Sequence, residues 1–366
     1  MATTSFATGD VNTVKRWSDR LERDVTTDTE YVSEMITDGI LKQQNELSKE
    51  AGDEVKYTFL RRLSSKGLIG DASATGNEKA LTYDQAVMKI NRLRQVVQVP
   101  ADGTISAQRV IFNLPEDAYE TLRNYIKERF IISTFNQLAG NVATSITYDG
   151  ETFSTATELL EITGMNVCVA PSSNNQIWAN GNTVDSGVNG DTAAKFSLTL
   201  IDEAEAKARK NRPYLLALNA TGIMYRCYLH VDGFKQLIQD VSAPIQYRDI
   251  YLNKIASGKS NELFGTRFQY SQTEIIVTDK VPNGVATVTA QTNVRRAVFV
   301  GKQAGAIAYG KGASAGGKTT AGFNFKDDLI DIGDQKRIAV SAVMGISKTQ
   351  FNSVDRGVIT ISHYVA

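Results

Sequence analysis

The chain has 366 residues, enough for one large or two modest domains with a sizeable core. Apolar residues make up 42% and charged residues 22%, and 14 Tyr with 14 Phe exclude a disordered chain. Lys plus Arg number 40, as do Asp plus Glu, which argues against a protein whose main task is to grip a phosphate backbone. A protein that only encloses nucleic acid needs no basic surplus.

Cys168 and Cys227 each sit in an apolar stretch, with no second cysteine at metal-ligand spacing, so no zinc site is expected. They could form one disulfide, but their surroundings favour two buried thiols and a reducing cytoplasm. Residues 1–10 lack an apolar segment of signal-peptide type, and no apolar run approaches the ~20 residues that span a bilayer.

The predicted elements give an α+β chain. Residues 1–50 are polar and of mixed charge. Val14, Trp17, Leu21 and Val25 recur at helical spacing, which predicts a short amphipathic helix around Lys15 to Asp24. The apolar residues here are too sparse for an independent core, so the segment reads as an arm that packs on something else. Val55, Tyr57 and Phe59 alternate with polar residues and predict a strand over Val55 to Leu63. A Gly/Ser/Asn loop follows, then a β-rich run from Tyr83 to Val99. Together these predict a long two-stranded arm with a flexible tip. An isolated hairpin is marginally stable in water, so this one needs a surface to lie on.

Pro115 to Leu138 is the clearest predicted helix. Asn113 and Glu116 form a candidate capping pair, Pro115 suits the first turn, and Gly140 suits the stop. Such a helix is roughly 35 Å long, enough to serve as the backbone of a domain. Asn141 to Ala194 is rich in Thr, Asn and Gly, and is expected to be an exposed insertion. Ser197 to Asn211 predicts a second helix, Met224 to Leu229 a strand, and Asp232 the start of a short helix. Ile275 to Val277 and Ala297 to Val300 read as buried strands, Gln303 to Tyr309 as a short helix, and Ile338 to Met344 and Val358 to Val365 as strands.

Three features invite a chemical reading. Gly312 to Thr319 (GASAGGKT) fits the phosphate-loop pattern G-x-x-x-x-G-K-[ST], which requires a strand before it and a helix after it. Gly322 and Asn324 follow instead, and both are poor helix formers, so a flexible glycine loop is the stronger reading. His230 and His363 are the two histidines, and His230 can pair with Asp232. No G-x-S-x-G elbow accompanies them, and structural histidines are expected. Arg61-Arg62 in the hairpin, with Arg92 and Arg94 opposite them, and Arg295-Arg296 are basic clusters. Nearby acids and the zero net charge favour contacts between proteins over contacts with nucleic acid. No catalytic, cofactor-binding or metal-binding residue is assigned.

Thr4-Ser5-Phe6-Ala7-Thr8-Gly9-Asp10 and Val14-Lys15-Arg16-Trp17-Ser18 carry a resemblance that continues along the chain. Glu50-Ala51-Gly52-Asp53, Phe59-Leu60-Arg61-Arg62-Leu63 and Gly76-Asn77-Glu78-Lys79-Ala80-Leu81 extend it. Tyr228-Leu229-His230-Val231-Asp232 and Arg295-Arg296-Ala297-Val298-Phe299-Val300-Gly301-Lys302-Gln303-Ala304 complete it. In this order these segments resemble the major capsid proteins of tailed bacteriophages typified by that of the short-tailed coliphage N-four. Residues 141–195 have no counterpart in the resemblance.

The resemblance implies the HK-97-type fold. Residues 1–50 would be an N-terminal arm, 51–105 the extended loop, and 106–140 the peripheral domain with its spine helix. Residues 141–195 would be the insertion, 196–312 the axial domain, and 313–366 the return to the peripheral sheet. It further implies hexamers and pentamers that close an icosahedral shell around double-stranded DNA in the virion, assembled in the bacterial cytoplasm. The partners would be further copies of the chain, a portal protein, and scaffolding or decoration proteins. On this reading Trp17, Tyr57, Phe59, Arg61, Arg62, Arg92 and Arg94 are candidate interface residues. A cellular encapsulating shell of the same fold and a phosphate-loop enzyme using Gly312 to Thr319 are the alternatives.

Overall fold

A computed structural model describes residues 31–44, 53–60, 67–71, 73–81, 83–101, 104, 114–210, 215–219, 222–240, 247, 249, 267–315, 318–321, 323–351 and 353–365. The expected helix around Lys15 to Asp24 and the Asn113 cap lie outside these residues. So do Trp17, Arg61 and Arg62.

In chain order the first elements are α1 (Val32–Thr37), β1 (Leu41–Gln44), β2 (Glu54–Leu60), β3 (Tyr83–Lys89), β4 (Asn91–Pro100) and α2 (Leu114–Ala139). Then come β5 (Ile146–Tyr148), β6 (Glu151–Phe153), α3 (Ala156–Ile162), β7 (Gln176–Trp178), α4 (Asp185–Gly190), α5 (Leu198–Lys210), β8 (Tyr225–His230) and α6 (Val231–Gln239). The remainder is β: β9 (Arg267–Tyr270), β10 (Thr273–Thr278), β11 (Asn283–Ala286), β12 (Thr289–Val300), β13 (Gly305–Tyr309), β14 (Lys311–Ala315), β15 (Lys318–Ala321) and β16 (Phe323–Ile330). It closes with β17 (Gln335–Lys348), β18 (Gln350–Phe351), β19 (Val354–Asp355) and β20 (Val358–Tyr364).

Two sheets organise the molecule. In the five-stranded sheet β17 is central, with β4 on one side and β13 and β16 on the other; Met344 pairs with both Tyr309 and Asn91. β1 adds to β13 in parallel, so β1 and β4 occupy opposite edges. The seven-stranded sheet runs β7-β20-β12-β8-β10-β9, with β11 beside β12. Helix α2 lies on β17 and β4. Leu122, Ile126, Phe130 and Phe135 pack on Ile338, Val340, Ala342 and Met344, and the same core continues to Tyr228, Val298 and Val300 of the other sheet.

Both faces of the seven-stranded sheet are covered. Leu198, Ile201, Ala204 and Ala208 of α5 meet Cys227, Leu229, Phe299, Ile359 and Ile361 on the side away from α2. This explains the unbroken apolar run Ala297 to Val300, because a strand buried on two faces loses the period-two alternation. Helix α2 has its own change of environment. From Phe130 to Ala139 every residue is buried, whereas its first turns are partly exposed. Gly140 ends it at φ +62°, donating to the Gln137 carbonyl while Asn141 donates to Asn136. A Cβ at Gly140 would come within 2.6 Å of the Val169 carbonyl, so glycine is required for conformation and for space.

Several expectations are corrected. Tyr83 to Val99 is two strands, not one arm of a hairpin. Residues 83–89 pair with β2, and residues 91–100 turn away to pair with β17. Arg92 and Arg94 therefore sit opposite Val343 and Ser341 rather than opposite the Arg61-Arg62 region. Residues 141–195 are not an exposed insertion. Ile177, Val188 and Ala194 are core residues, and β7 extends the seven-stranded sheet beside β20. Thr/Asn/Gly richness here reflects polar side chains bonded to backbone, as with Asn175 to the carbonyls of Asp355 and Val358. Gln303 to Tyr309 forms strand β13 rather than a helix, because both of its ladder edges are taken, by β1 and β17. The two C-terminal strands part company. β17 pairs with β4, but β20 joins β12 in the other sheet.

Candidate functional site

The β2–β3 hairpin stands on a small foothold. Val55 and Met88 face each other across the ladder and bury against Ala306, Ala308 and Phe351. Asn166 holds the foot as a peptide would: its Oδ1 accepts from the Lys89 amide and its Nδ2 donates to the Lys89 carbonyl, both at 2.9 Å. The chain passes so close at this point that a Cβ at Gly345 would lie 2.1 Å from the Lys89 carbonyl oxygen. Tyr83, Gln85, Val87 and Lys89 share the outer face of β3 and are all exposed.

The described residues between β2 and β3 form an exposed tip. Gly67, Gly70 and Gly76 have positive φ and nothing within 4 Å of a Cβ position. The local order comes from short-range bonds: Glu78 accepts from the Gly76 amide at 2.7 Å, and Asn77 donates to Ser73 at 3.0 Å. Leu68, Ile69 and Leu81 are exposed here, Ile69 by 90%. The exposed Leu68, Ile69 and Leu81 give the tip the composition of a contact surface. Of the candidate interface residues, Tyr57 and Phe59 lie on β2, paired with Ala86 and Asp84. Arg92 and Arg94 are exposed on β4. The structure therefore places Arg92 and Arg94 on the five-stranded sheet rather than on the hairpin.

A second constellation, which the sequence did not disclose, locks the body. Asp185 at the start of α4 is 2% exposed and pairs with buried Arg296 of β12 at 2.8 Å. The carboxylate also accepts from Trp178, Gln176, Ser362 and the Val285 amide. Arg296 donates in turn to the carbonyls of Ala139, Gly140 and Val285. It thereby satisfies the C-terminal carbonyls of α2, where a cation is also favoured by the helix dipole. Arg296 is thus removed from the basic cluster read in Arg295-Arg296. A third network ties α1 down: Arg226 pairs with Asp38 and with Glu274 (2.7 Å), and Arg267 with Glu34 (2.7 Å). Sequence offered no signal for these partners, since their separations exceed 40 residues.

Catalytic readings fare poorly in this geometry. Gly312 to Thr319 spans two antiparallel strands, β14 and β15, and strand β16 follows where a phosphate loop needs a helix. His230 and Asp232 do meet, with Nδ1 to carboxylate at 3.0 Å, but Nδ1 also accepts the Asp232 amide at 3.2 Å as a helix cap. Burial and the charge of Arg295 push the His230 pKa down, so the neutral ring that caps α6 is the resting form. His363 is fully buried against Phe196, and burial lowers its pKa to about 3. Its ring nitrogens have no hydrogen-bond partner among the described residues, serine hydroxyls included. Cys168 and Cys227 are buried and unpaired, and burial pushes both thiols up to about 12. Among the described residues no helix is long and apolar enough to cross a membrane.

The sequence model of the phage capsid protein family matches residues 5–366. The chain belongs to the phage capsid protein family. Solved capsids share its fold. The capsid of Ralstonia phage GP4 superposes with a TM-score of 0.70 at 20% identity, covering 91% of this chain and 89% of that one. The capsid of cyanophage Pam1 gives 0.68 at 16% identity, covering all of both chains. The head of Helicobacter pylori bacteriophage KHP40 gives 0.62 at 11% identity, covering 100% and 94%. No curated protein matches the sequence. This capsid protein is a structural, non-enzymatic component of the virion shell with the α+β, HK-97-type fold of tailed-phage capsids, and it acts by self-assembly. The phosphate-loop alternative is overturned, and the cellular-shell alternative is not favoured.

Proposed function

We propose that copies of this major capsid protein associate as hexamers and pentamers, closing an icosahedral shell around double-stranded DNA. Residues 1–50 act as an arm and the hairpin within 51–105 as the extended loop, each lying on a neighbouring copy. Residues 106–140 and the strands that return from 313–348 form the peripheral body, and the seven-stranded sheet forms the axial one. Assembly takes place in the bacterial cytoplasm, with a portal protein at one vertex and scaffolding or decoration proteins as further partners. The observation that carries this reading is the hairpin: two strands with Val55 and Met88 buried at the foot and an apolar tip at Leu68, Ile69 and Leu81 that is exposed. Heterologous contacts of this kind close into rings when the rotation permits. Many modest contacts per subunit make a durable shell, because release requires breaking several at once. The net charge of zero suits enclosure of DNA without tight, sequence-specific binding.

Electron microscopy of the purified full chain, with sizing chromatography, tests this. Closed shells, or rings of five and six, are expected. A protein that stays monomeric at high concentration, with and without its scaffold, would contradict it.

A further inference from the structure

Arg295 and Arg296 are neighbours on β12, but their side chains leave the strand on opposite faces. Arg296 is sealed against Asp185. Arg295 is half-buried and has no ion-pair partner among the described residues. Its Nη1 donates to Asn283 Oδ1, while its Nε is buried with no hydrogen-bond partner. Burial pulls its pKa below the ordinary guanidinium value, and Asp232, the one acid acting against that, lies 3.0 Å from His230 instead. The other titratable groups that feel its charge, His230 and His363, are held neutral. A partly desolvated cation with no anion beside it costs free energy.

Arg295 lines a cavity of about 540 Å³, within the size range of small-ligand sites. The cavity lies between the C-terminal half of α2, strand β5 with the residues before it, the β10–β11 connection and the β11–β12 turn. Ile132, Ile146, Val281 and Val288 supply apolar lining. Asp279 and Lys280 also line it, but they neutralise each other at 3.0 Å, with Lys280 lying over the Tyr148 ring. The guanidinium of Arg295 is therefore the one charge among the lining residues that has no counter-charge in contact with it.

With Nη1 on Asn283, the guanidinium keeps its Nε–Nη2 edge, and that edge matches the two coplanar oxygens of a carboxylate. We propose that the cavity binds a carboxylate side-on to this edge of Arg295, with the attached carbon skeleton against Ile132, Ile146 and Val288. A phosphate dianion fits less well, because Asp279 lines the same cavity, Asp232 acts on the same guanidinium, and much of the lining is apolar. Two sources supply the group: a free organic acid, or an aspartate or glutamate side chain of a neighbouring copy. The second source rests on the shell-building reading above; the site itself does not.

The test is saturation-transfer NMR of butyrate with unassembled subunits of the full chain. Butyrate is expected to show transfer, propionate to displace it, and butyramide or inorganic phosphate at equal ionic strength to leave it in place. Arg295→Gln should weaken butyrate binding about tenfold, the worth of a hydrogen-bonded charge contact. Ala290→Phe, which fills the cavity and leaves the cation, should do the same. Without ligand, Arg295→Gln should melt at or above the temperature of the unsubstituted chain, since it removes an unmatched cation. No transfer, undiminished binding in either variant, displacement by phosphate as effective as by propionate, or a lowered melting temperature in Arg295→Gln would overturn the inference. Assembled shells then separate the sources. Transfer seen with subunits and lost in shells assigns the carboxylate to a neighbouring copy, and transfer in both assigns it to a free acid. Failure of the unsubstituted chain to form shells would instead count against the shell-building reading and leave the subunit measurement standing.

Discussion

The Asp185–Arg296 pair and the β2–β3 hairpin are opposite ways of using a polar sequence. Around Asp185 every lone pair is matched, by Arg296, Trp178, Gln176, Ser362 and the Val285 amide, and the whole set is withdrawn from water. Along the hairpin beyond its foot, Tyr83, Val87, Leu68 and Ile69 are exposed, with no covering surface among the described residues. The first region is complete in one subunit and should govern its stability. The second is incomplete in one subunit and should govern association. That separation of roles is what a shell protein needs: a subunit that folds before it meets a neighbour, and surfaces that gain only when it does.

The largest effect on the folded subunit is expected at the Asp185–Arg296 pair. Asp185→Asn or Arg296→Met leaves a buried charge uncompensated, so the subunit should lose about 3–5 kcal/mol, read as a large fall in melting temperature by calorimetry. A loss below ~1 kcal/mol would mean that the pair is not the lock described here. His363 gives a pH handle on the same body. Its folded pKa is about 3 against 6.5 unfolded, so the unfolded chain takes up the proton first. Its contribution is full above pH 6.5 and is lost as pH falls towards 3, on the order of 5 kcal/mol in all. His363→Leu should flatten the dependence of melting temperature on pH in that window, and an unchanged slope would refute the assignment.

Smaller effects are expected at the hairpin. Asn166→Ala removes two hydrogen bonds to Lys89 and should cost about 1–2 kcal/mol locally. Faster amide exchange at Lys89, with the global melting temperature nearly unchanged, is the expected reading. At the tip, Ile69→Ser should alter subunit melting by less than about 0.5 kcal/mol yet lower the yield of particles. Equal losses in melting and assembly would erase the distinction between the two regions.

Much of the fold was legible because periodicity reports burial. Helix α2 showed itself through apolar spacing, Pro115 and Gly140, and β8, β10, β12 and β20 through short runs of apolar residues. What could not be read was partnership. The break at Ile90, where β3 passes into β4, has no glycine or proline to mark it; it is fixed by Asn166 and Asp53 from elsewhere in the chain. Residues 141–195 looked like an exposed insertion because many of their buried groups are polar: Asn175 and Asp185 are held inside by bonds to distant strands, and Gln176 by its bond to Asp185. Composition cannot distinguish a solvated asparagine from a satisfied one. Arg296 was misread for the same reason, since its partner lies 111 residues away.

The most direct test of the account is cryo-electron microscopy of assembled particles at side-chain resolution. The tip around Leu68 and Ile69 is expected to be packed against a neighbouring copy, with Asp185 and Arg296 paired inside each subunit as they are here. Shells in which residues 67–81 stand free in solvent would contradict the assignment of the hairpin as the element through which the subunits join.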